Sequence, residues 1–314
     1  MQQLKVCFIG VGSIAKRHIR NLRDVCEQRK IKLHMDAFRH NAGKQSAADG
    51  IETVYYDIAQ MPDYDIIFIT NPTELHLASL KKFQDKGKHF FIKKPVVSRT
   101  QIEEAKHFCL KEGAVYYVAC PLRYNAVIQY TKKSINVDDV ISVRSISSSY
   151  LPDWRPGQDY RETYSAHNSL GGGVSIDLIH EWDYLTYLFG WPEKVKCFIG
   201  KKSKLEIDSD DYAIYISEFN NKIVELHLDY FGRKTIREIQ LLTHDDTIVG
   251  DIVNNKITFL RSGETIEFHE ERDDYQKKEL EHFLDMAMGI VPCEDGYKHG
   301  IKVLELTQGR LGDE

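Results

Sequence analysis

The six cysteines, Cys7, Cys26, Cys109, Cys120, Cys197 and Cys293, include no pair spaced C-x-x-C. That excludes a zinc knuckle and a dithiol redox motif. Cys7 and Cys120 lie in apolar, strand-like runs and read as small core hydrophobes. There is no excess of positive charge either. With 42 basic against 47 acidic residues the formal net charge is -5, so no global basic field argues for nucleic acid. No apolar run is long enough to span a bilayer, and no charged-then-apolar leader precedes the first strand. The expected setting is the cytoplasm, with no membrane partner. Internal repeats and low-complexity linkers are missing too, so the junction between domains is expected to be tight.

What is present fits a two-domain globular protein: 314 residues, 42% hydrophobic and 28% charged, too long for one ordinary core. Up to about residue 120, short apolar runs alternate with helical segments. The runs are Leu4–Ile9, Leu33–Phe38, Val54–Tyr56, Asp65–Thr70, His89–Ile92 and Val115–Ala119. Helices are expected at about 14–28, 73–86 and 100–112. This alternation predicts an α/β, doubly wound parallel sheet. Beyond it come a helix at 125–134, a long strand at 140–150, an irregular stretch at 150–173 and a helix at 174–189. Alternating strands then fill 195–268, and two helices close the chain. That order predicts an α+β second domain on a large, mostly antiparallel open sheet. The boundaries read as 1–121 and 122–314, and the crevice between domains is the expected place for a site.

Gly10-Val11-Gly12-Ser13-Ile14-Ala15 follows the first strand and opens the first helix. Gly10 permits the tight turn, and Gly12 lets the backbone approach a pyrophosphate. Ala15 stands where helix and strand pack, and the helix N-terminus offers N–H groups to the anion, together with Ser13 and Ile14. A dinucleotide is therefore the expected ligand. An acid at the tip of the second strand would bind ribose hydroxyls, but this strand ends Phe38-Arg39-His40. Arg39 suits a 2′-phosphate, which favours NADP over NAD. Two alternatives stand beside that reading: a solvated Arg39, and Asp36 as the ribose acid.

Three further segments carry a resemblance. They are Thr70-Asn71-Pro72-Thr73-Glu74-Leu75-His76, Lys93-Lys94-Pro95, and Gly171-Gly172-Gly173 running on to Asp177 and His180. In register with the glycine turn they resemble the glucose-fructose oxidoreductase, inositol dehydrogenase and rhizopine-catabolism (Gfo/Idh/MocA) family. The resemblance implies NAD(P)-dependent oxidation or reduction at a carbon of a sugar, polyol or nucleotide sugar. It implies Lys94 beside the reacting oxygen, His180 as general acid/base, and Asp177 orienting either His180 or the substrate. It also places Asn71, Pro72, His76 and Pro95 at the cofactor. A His near neutral pKa suits such proton transfer. Two departures stand out. Lys93 replaces the family's Glu, and Asp177 and His180 are three residues apart rather than four, which on one helix still shares a face. These departures motivate an alternative, a non-catalytic NAD(P)-binding sensor or regulator. His180 could also be a core histidine. His180-Glu181-Trp182-Asp183-Tyr184 lacks the second His of a zinc motif, so no metal is expected.

The irregular stretch reads as the specificity element. Trp154, Arg155, Arg161, Tyr164 and Asn168 offer stacking and hydrogen bonds to a sugar, with Arg123 facing the same pocket. The two loop arginines suit a diphosphate. The alternative is a surface loop whose arginines pair with Asp153, Asp159 and Glu162. The second domain's open sheet, by resemblance, implies a homodimer or homotetramer.

Overall fold

The structure is a computed structural model that describes residues 3–40 and 49–311. The first unit is built from β1 (Gln3–Ile9), α1 (Ser13–Gln28), β2 (Lys32–Phe38), β3 (Thr53–Tyr55), β4 (Tyr64–Ile69), α2 (His76–Phe83), β5 (Gly87–Ile92), α3 (Ile102–Lys106) and β6 (Tyr116–Val118). Its six strands run in the order β3-β2-β1-β4-β5-β6, all parallel. The strand order reverses between β1 and β4, the switch point where such sheets take ligands at their carboxyl ends. The apolar runs are continuous because both sheet faces are covered. Phe8, Phe68 and Phe91, on adjacent strands, stack at 4.6 and 4.8 Å between ring centroids. α3 stops at Lys106, well short of the expected 112. Past it, Phe108 turns to pack its ring against Tyr116 and Tyr297, and the Lys111 N–H goes to the Tyr116 hydroxyl rather than to a helical carbonyl.

The second unit contains α4 (Ala126–Ser134), β7 (Val140–Tyr150), α5 (Val174–Asp177), α6 (His180–Phe189), β8 (Lys194–Gly200), β9 (Tyr212–Phe219), β10 (Lys222–Asp229), β11 (Phe231–Thr243), β12 (Thr247–Asp251), β13 (Lys256–Phe259) and β14 (Thr265–Glu267). Its sheet has the order β14-β13-β12-β11-β7-β10-β9-β8. Only the β7–β10 pair is parallel. One face is buried under α5 and α6. There Trp182 packs edge-on against Tyr215, and the Tyr184 and Ser145 hydroxyls meet at 2.6 Å.

The two closing helices are α7 (Arg272–Ala287) and α8 (Gly296–Leu306). The sequence reading placed both in the second domain. Arg272–Ile301, which holds α7 and the first part of α8, instead belongs to the first unit, while α8 from Lys302 onward stays with the second. Charge fixes α7 along α1: Arg20 meets Asp273 at 2.7 Å, Lys277 meets Asp24 at 2.7 Å, and Arg29 meets Asp285 at 2.6 Å. Phe283 supplies the apolar contact, against Phe68 and Phe91.

Candidate active site

The glycine turn lies at the carboxyl end of β1. Gly10 has φ +87°, and a Cβ there would meet the Asn71 Cα at 2.8 Å. Glycine is needed at this position for conformation and for space. The Thr70 hydroxyl donates to the Gly10 carbonyl at 2.7 Å and pins the turn to the end of β4. Gly12, by contrast, faces open space, with nothing within 4 Å of where its Cβ would be. It is the N-cap of α1, and that end has no side-chain cap and no acidic residue in its first turn. Uncapped N–H groups on a long helix attract an anion. Beside them the Asn71 amide donates to Ser79 at 2.7 Å, while its Oδ1 is buried without a hydrogen-bond partner. Such an orphan is expected where a ligand completes the site. These residues fit a dinucleotide.

Inside β2, two residues before its end, Asp36 is not available to a ribose. It is buried and accepts from the Tyr64 hydroxyl at 2.8 Å and from the Thr53 N–H at 3.1 Å, with His34 at 3.0 Å. Arg39, half-buried, is the first residue beyond the strand. His40 is exposed with its ring edge-on to Phe38.

Lys93 and Lys94 follow β5. The Lys93 N–H continues the ladder to Ile69 at 2.9 Å, and its ammonium reaches the Asn71 carbonyl at 3.4 Å. Lys94 is half-buried, and its peptide bond to Pro95 is cis. Pro72 is exposed beside Asn71. His76 does not line the surface of this end: it is 0% exposed. Its Nε2 lies 3.0 Å from the Asn71 carbonyl, and its Nδ1 lies 3.0 and 3.2 Å from those of Pro95 and Val96. Burial, with the Lys93 charge second, lowers its pKa to about 4, so the ring is neutral.

Asp177 and His180 belong to the second unit, and the geometry between them differs from the expectation. The predicted continuous helix is broken at 178–179. Asp177 ends α5 and His180 begins α6, so the helical i, i+3 argument does not apply to the pair. Asp177 is buried and accepts from the Tyr230 hydroxyl at 2.6 Å. The Tyr164 hydroxyl also donates to it. Burial first, then the Asp177 charge, pushes both phenols' pKa values up, so both remain donors through the neutral range. The Tyr164 ring is partly exposed and carries the Arg155 guanidinium at 5.4 Å. Trp154 stands edge-on to Tyr230 at 5.2 Å and donates from its indole to Ser149 at 2.9 Å. Trp154, Arg155, Tyr164, Tyr230 and Asp177 thus form one cluster.

The glycine triplet opens space for the chain itself rather than for a ligand. A Cβ on Gly172 would overlap the Tyr164 carbonyl, and one on Gly173, at φ +129°, would overlap the Asp210 carboxylate. Asp210 in turn accepts from Ser175 N and Oγ at 2.9 and 2.7 Å. Two expected substrate contacts are engaged elsewhere. Arg123 forms a two-pronged pair with Asp183 at 2.9 and 2.6 Å. Arg161 is exposed and bonded to Asp159 at 2.7 Å, with Glu206 at 3.3 Å. Asn168 is exposed, and it is its backbone N–H that donates to Asp208 at 2.6 Å, which leaves the side-chain amide at the surface. The sequence reading did not single out Tyr230. A bulky phenol at the end of the apolar strand 223–230 was the available signal, since a buried hydroxyl needs an acceptor.

Comparison with known proteins adds to this geometry. The oxidoreductase family with an NAD-binding Rossmann fold (GFO/IDH/MocA) matches residues 4–120, and the GFO/IDH/MocA C-terminal domain matches residues 128–236. An uncharacterized oxidoreductase, YrbE, of Bacillus subtilis is 27% identical over 60% of this chain and 54% of its own length. Levoglucosan dehydrogenase of Pseudarthrobacter phenanthrenivorans is 24% identical over 60% of this chain and 52% of its own. The chain thus spans about half the length of the curated relatives it matches. Among solved structures, levoglucosan dehydrogenase with NADH shares the fold, with a TM-score of 0.83 at 18% identity over 98% of this chain and 96% of that one. The UDP-N-acetylglucosamine 3-dehydrogenase of Acidithiobacillus ferrooxidans does so with a TM-score of 0.75 at 21% identity, over 98% and 96%.

Proposed function

The chain belongs to the GFO/IDH/MocA oxidoreductase family, and on that premise we propose that it is a nicotinamide-dependent dehydrogenase acting at a C–OH/C=O carbon of a sugar, polyol or nucleotide sugar. The observation that carries the reading is the uncapped start of α1 at open Gly12, beside the orphaned Asn71 Oδ1. Gly10, Gly12, Ser13 and Ile14 hold the pyrophosphate, with Asn71, Pro72 and Pro95 on the adjoining strand ends. When bound, the nicotinamide supplies the two-electron partner, taking or giving a hydride at its C4. Lys94 donates a hydrogen bond to the reacting oxygen, His180 takes or returns its proton, and Asp177 accepts the hydrogen bond of the Tyr164 hydroxyl, leaving that hydroxyl oxygen to accept from a substrate hydroxyl. NADP is the preferred cofactor. Its support is Arg39 at the tip of β2, together with the engagement of Asp36 inside the sheet.

The Trp154–Arg155–Tyr164 wall suits a sugar ring, with one arginine available for an anionic substituent. The protein works as a homo-oligomer whose interface is the open face of the second sheet. That face carries exposed Phe198 (72%), Ile216 (53%) and Ile223 (40%), aligned through the pairs Phe198–Ile214 and Ile223–Glu218.

The test is turnover of NADPH and NADH with keto sugars, and of NADP+ and NAD+ with sugars, polyols and nucleotide sugars, in wild type, Lys94→Ala and His180→Ala. Loss of rate by at least a hundredfold in both variants is expected. Full rate in either variant on a cognate substrate removes that residue from the site. Tight cofactor binding with no turnover on any sugar that binds supports the sensor reading instead, which the break between Asp177 and His180 favours.

A further inference from the structure

Two loops meet at the carboxyl ends of β4 and β5, and few backbone hydrogen bonds join them. The segment from Lys94 to Val97 leaves the sheet after the Lys93 N–H, and Pro95 has no N–H to give. Side chains stitch the loops instead. Gln101 donates to the Glu74 carbonyl at 3.0 Å, and the Lys93 ammonium reaches the Asn71 carbonyl at 3.4 Å. The central stitch is His76. From the first turn of α2 it touches Asn71 on one side of its ring, and Pro95 and Val96 on the other, all within 3.2 Å.

We infer that His76 is a positioning residue: it ties the Asn71 turn to the Pro95–Val96 backbone and thereby fixes where Lys94 stands relative to the cofactor turn. The inference rests on the reading of Lys94 as the residue at the reacting oxygen. His76 touches neither cofactor nor substrate, since no part of it is exposed and all its polar partners are main-chain carbonyls. Histidine suits the task because its rigid ring carries polar atoms on opposite sides and can touch both loops at once. A glutamine amide can keep one of the two sides, and a leucine neither. A neutral imidazole has one N–H, so one side is held by a hydrogen bond, while on the other side the ring only fills the space up to the facing carbonyl, which its unprotonated nitrogen does not bind. Reactive groups depend on this placement, because an error of about 1 Å at a catalytic group costs on the order of a hundredfold in rate.

The experiment uses the full chain with His76→Leu and His76→Gln, and Lys94→Met alongside. Four quantities are read: cooperative melting, affinity for NADPH and NADH, pH dependence of Lys94 acetylation by acetic anhydride followed by peptide mass spectrometry, and kcat and KM on the best sugar of the panel. The expected result for His76→Leu is a cooperative melt and cofactor affinity within about threefold of wild type. Its Lys94 labelling rate should change at least threefold, and kcat should fall at least tenfold. His76→Gln should recover part of both. The inference is overturned if folded His76→Leu keeps wild-type Lys94 labelling and kcat. It also falls if cofactor affinity is lost in step with rate, or if neither variant folds, because the role is then not specific to Lys94. A Lys94→Met protein that keeps its rate sinks the reading of Lys94 itself. Loss of rate in Lys94→Met with wild-type behaviour in His76→Leu sinks only the inference about His76.

Discussion

The Tyr230 hydroxyl donates to the Asp177 carboxylate at 2.6 Å, joining two buried residues 53 positions apart in sequence. The bond gives the buried carboxylate a neutral, oriented donor. Tyr230→Phe removes the donor and keeps the ring against Trp154. A hydrogen bond to a charged group is worth about 1.5–3 kcal/mol, so a stability loss in that range is expected in urea melts. A fall in kcat of about tenfold should accompany it, as Asp177 loses its orientation. Unchanged stability and rate would show that the contact is idle.

Arg123 and Asp183 make the opposite case, a predicted substrate contact that holds the fold. Their side chains are 13% and 6% exposed, and the guanidinium also lies over Tyr187 at 5.4 Å. Arg123→Ala leaves Asp183 buried without its fork, which costs about 3–5 kcal/mol. Adding Asp183→Leu should restore much of that loss. A double-mutant cycle by chemical denaturation measures it, and a stable Arg123→Ala protein with only a raised substrate KM would return Arg123 to the substrate.

Arg39 sets the cofactor preference. If its guanidinium meets a 2′-phosphate, Arg39→Ala weakens NADPH by about ten- to a hundredfold, the worth of a charge-assisted pair. NADH should change by less than about threefold, since it lacks that phosphate. Fluorescence titration at two salt concentrations checks both numbers, and equal weakening of the two cofactors would assign Arg39 to the shared part of the molecule.

Two buried histidines predict a pH dependence of stability. His18, next to Arg17 and Arg272, and His76, next to Lys93, are lowered from 6.5 to about 4, in each case by burial first and by the neighbouring cations second. The fold therefore favours the neutral ring, and the unfolded chain binds the extra protons. Their contribution is fully present above about pH 6.5 and is lost as pH falls toward 4. Each is worth up to about 3 kcal/mol over that window. The difference between wild type and His76→Gln in urea midpoints at pH 7 and pH 4.5 isolates one of them. A difference independent of pH would show that His76 takes up its proton in the fold as readily as outside it.

The parts of the molecule visible in the sequence are those with a local signature. The apolar runs gave the parallel strands, because burial on both faces demands them. The glycine turn was legible because Gly10 answers to a backbone conformation and a close neighbour. The break at Leu178–Ile179 was not, since two apolar residues extend a helical pattern and nothing there breaks a helix. Nor did the triplet Gly171-Gly172-Gly173 reveal that it makes room for Tyr164 and Asp210, partners several residues before it and dozens after. Tyr230 with Asp177, and Arg123 with Asp183, are pairings that only the folded sheet and helices bring together, and a one-dimensional pattern has no term for them.

The open face of the second sheet supplies the last test. Along β8, β9 and β10 its apolar side chains alternate with charges that pair across strands: Lys194 meets Glu218 at 2.7 Å, and Glu225 meets Arg144 at 3.6 Å on the next strand. A face exposing Phe198 and Ile216 in water loses free energy on the order of 25 cal/mol for each Å² of apolar surface left uncovered, so covering it with the same face of a second copy is favourable. Phe198→Lys with Ile216→Lys places four like charges across such an interface and should convert the oligomer to monomer in light scattering at micromolar concentration. Both side chains are exposed within the chain, so the monomer should melt as a folded protein. If the variant keeps the wild-type mass, the interface lies elsewhere on the molecule. If wild type is itself monomeric, this face has no second copy of the chain to meet.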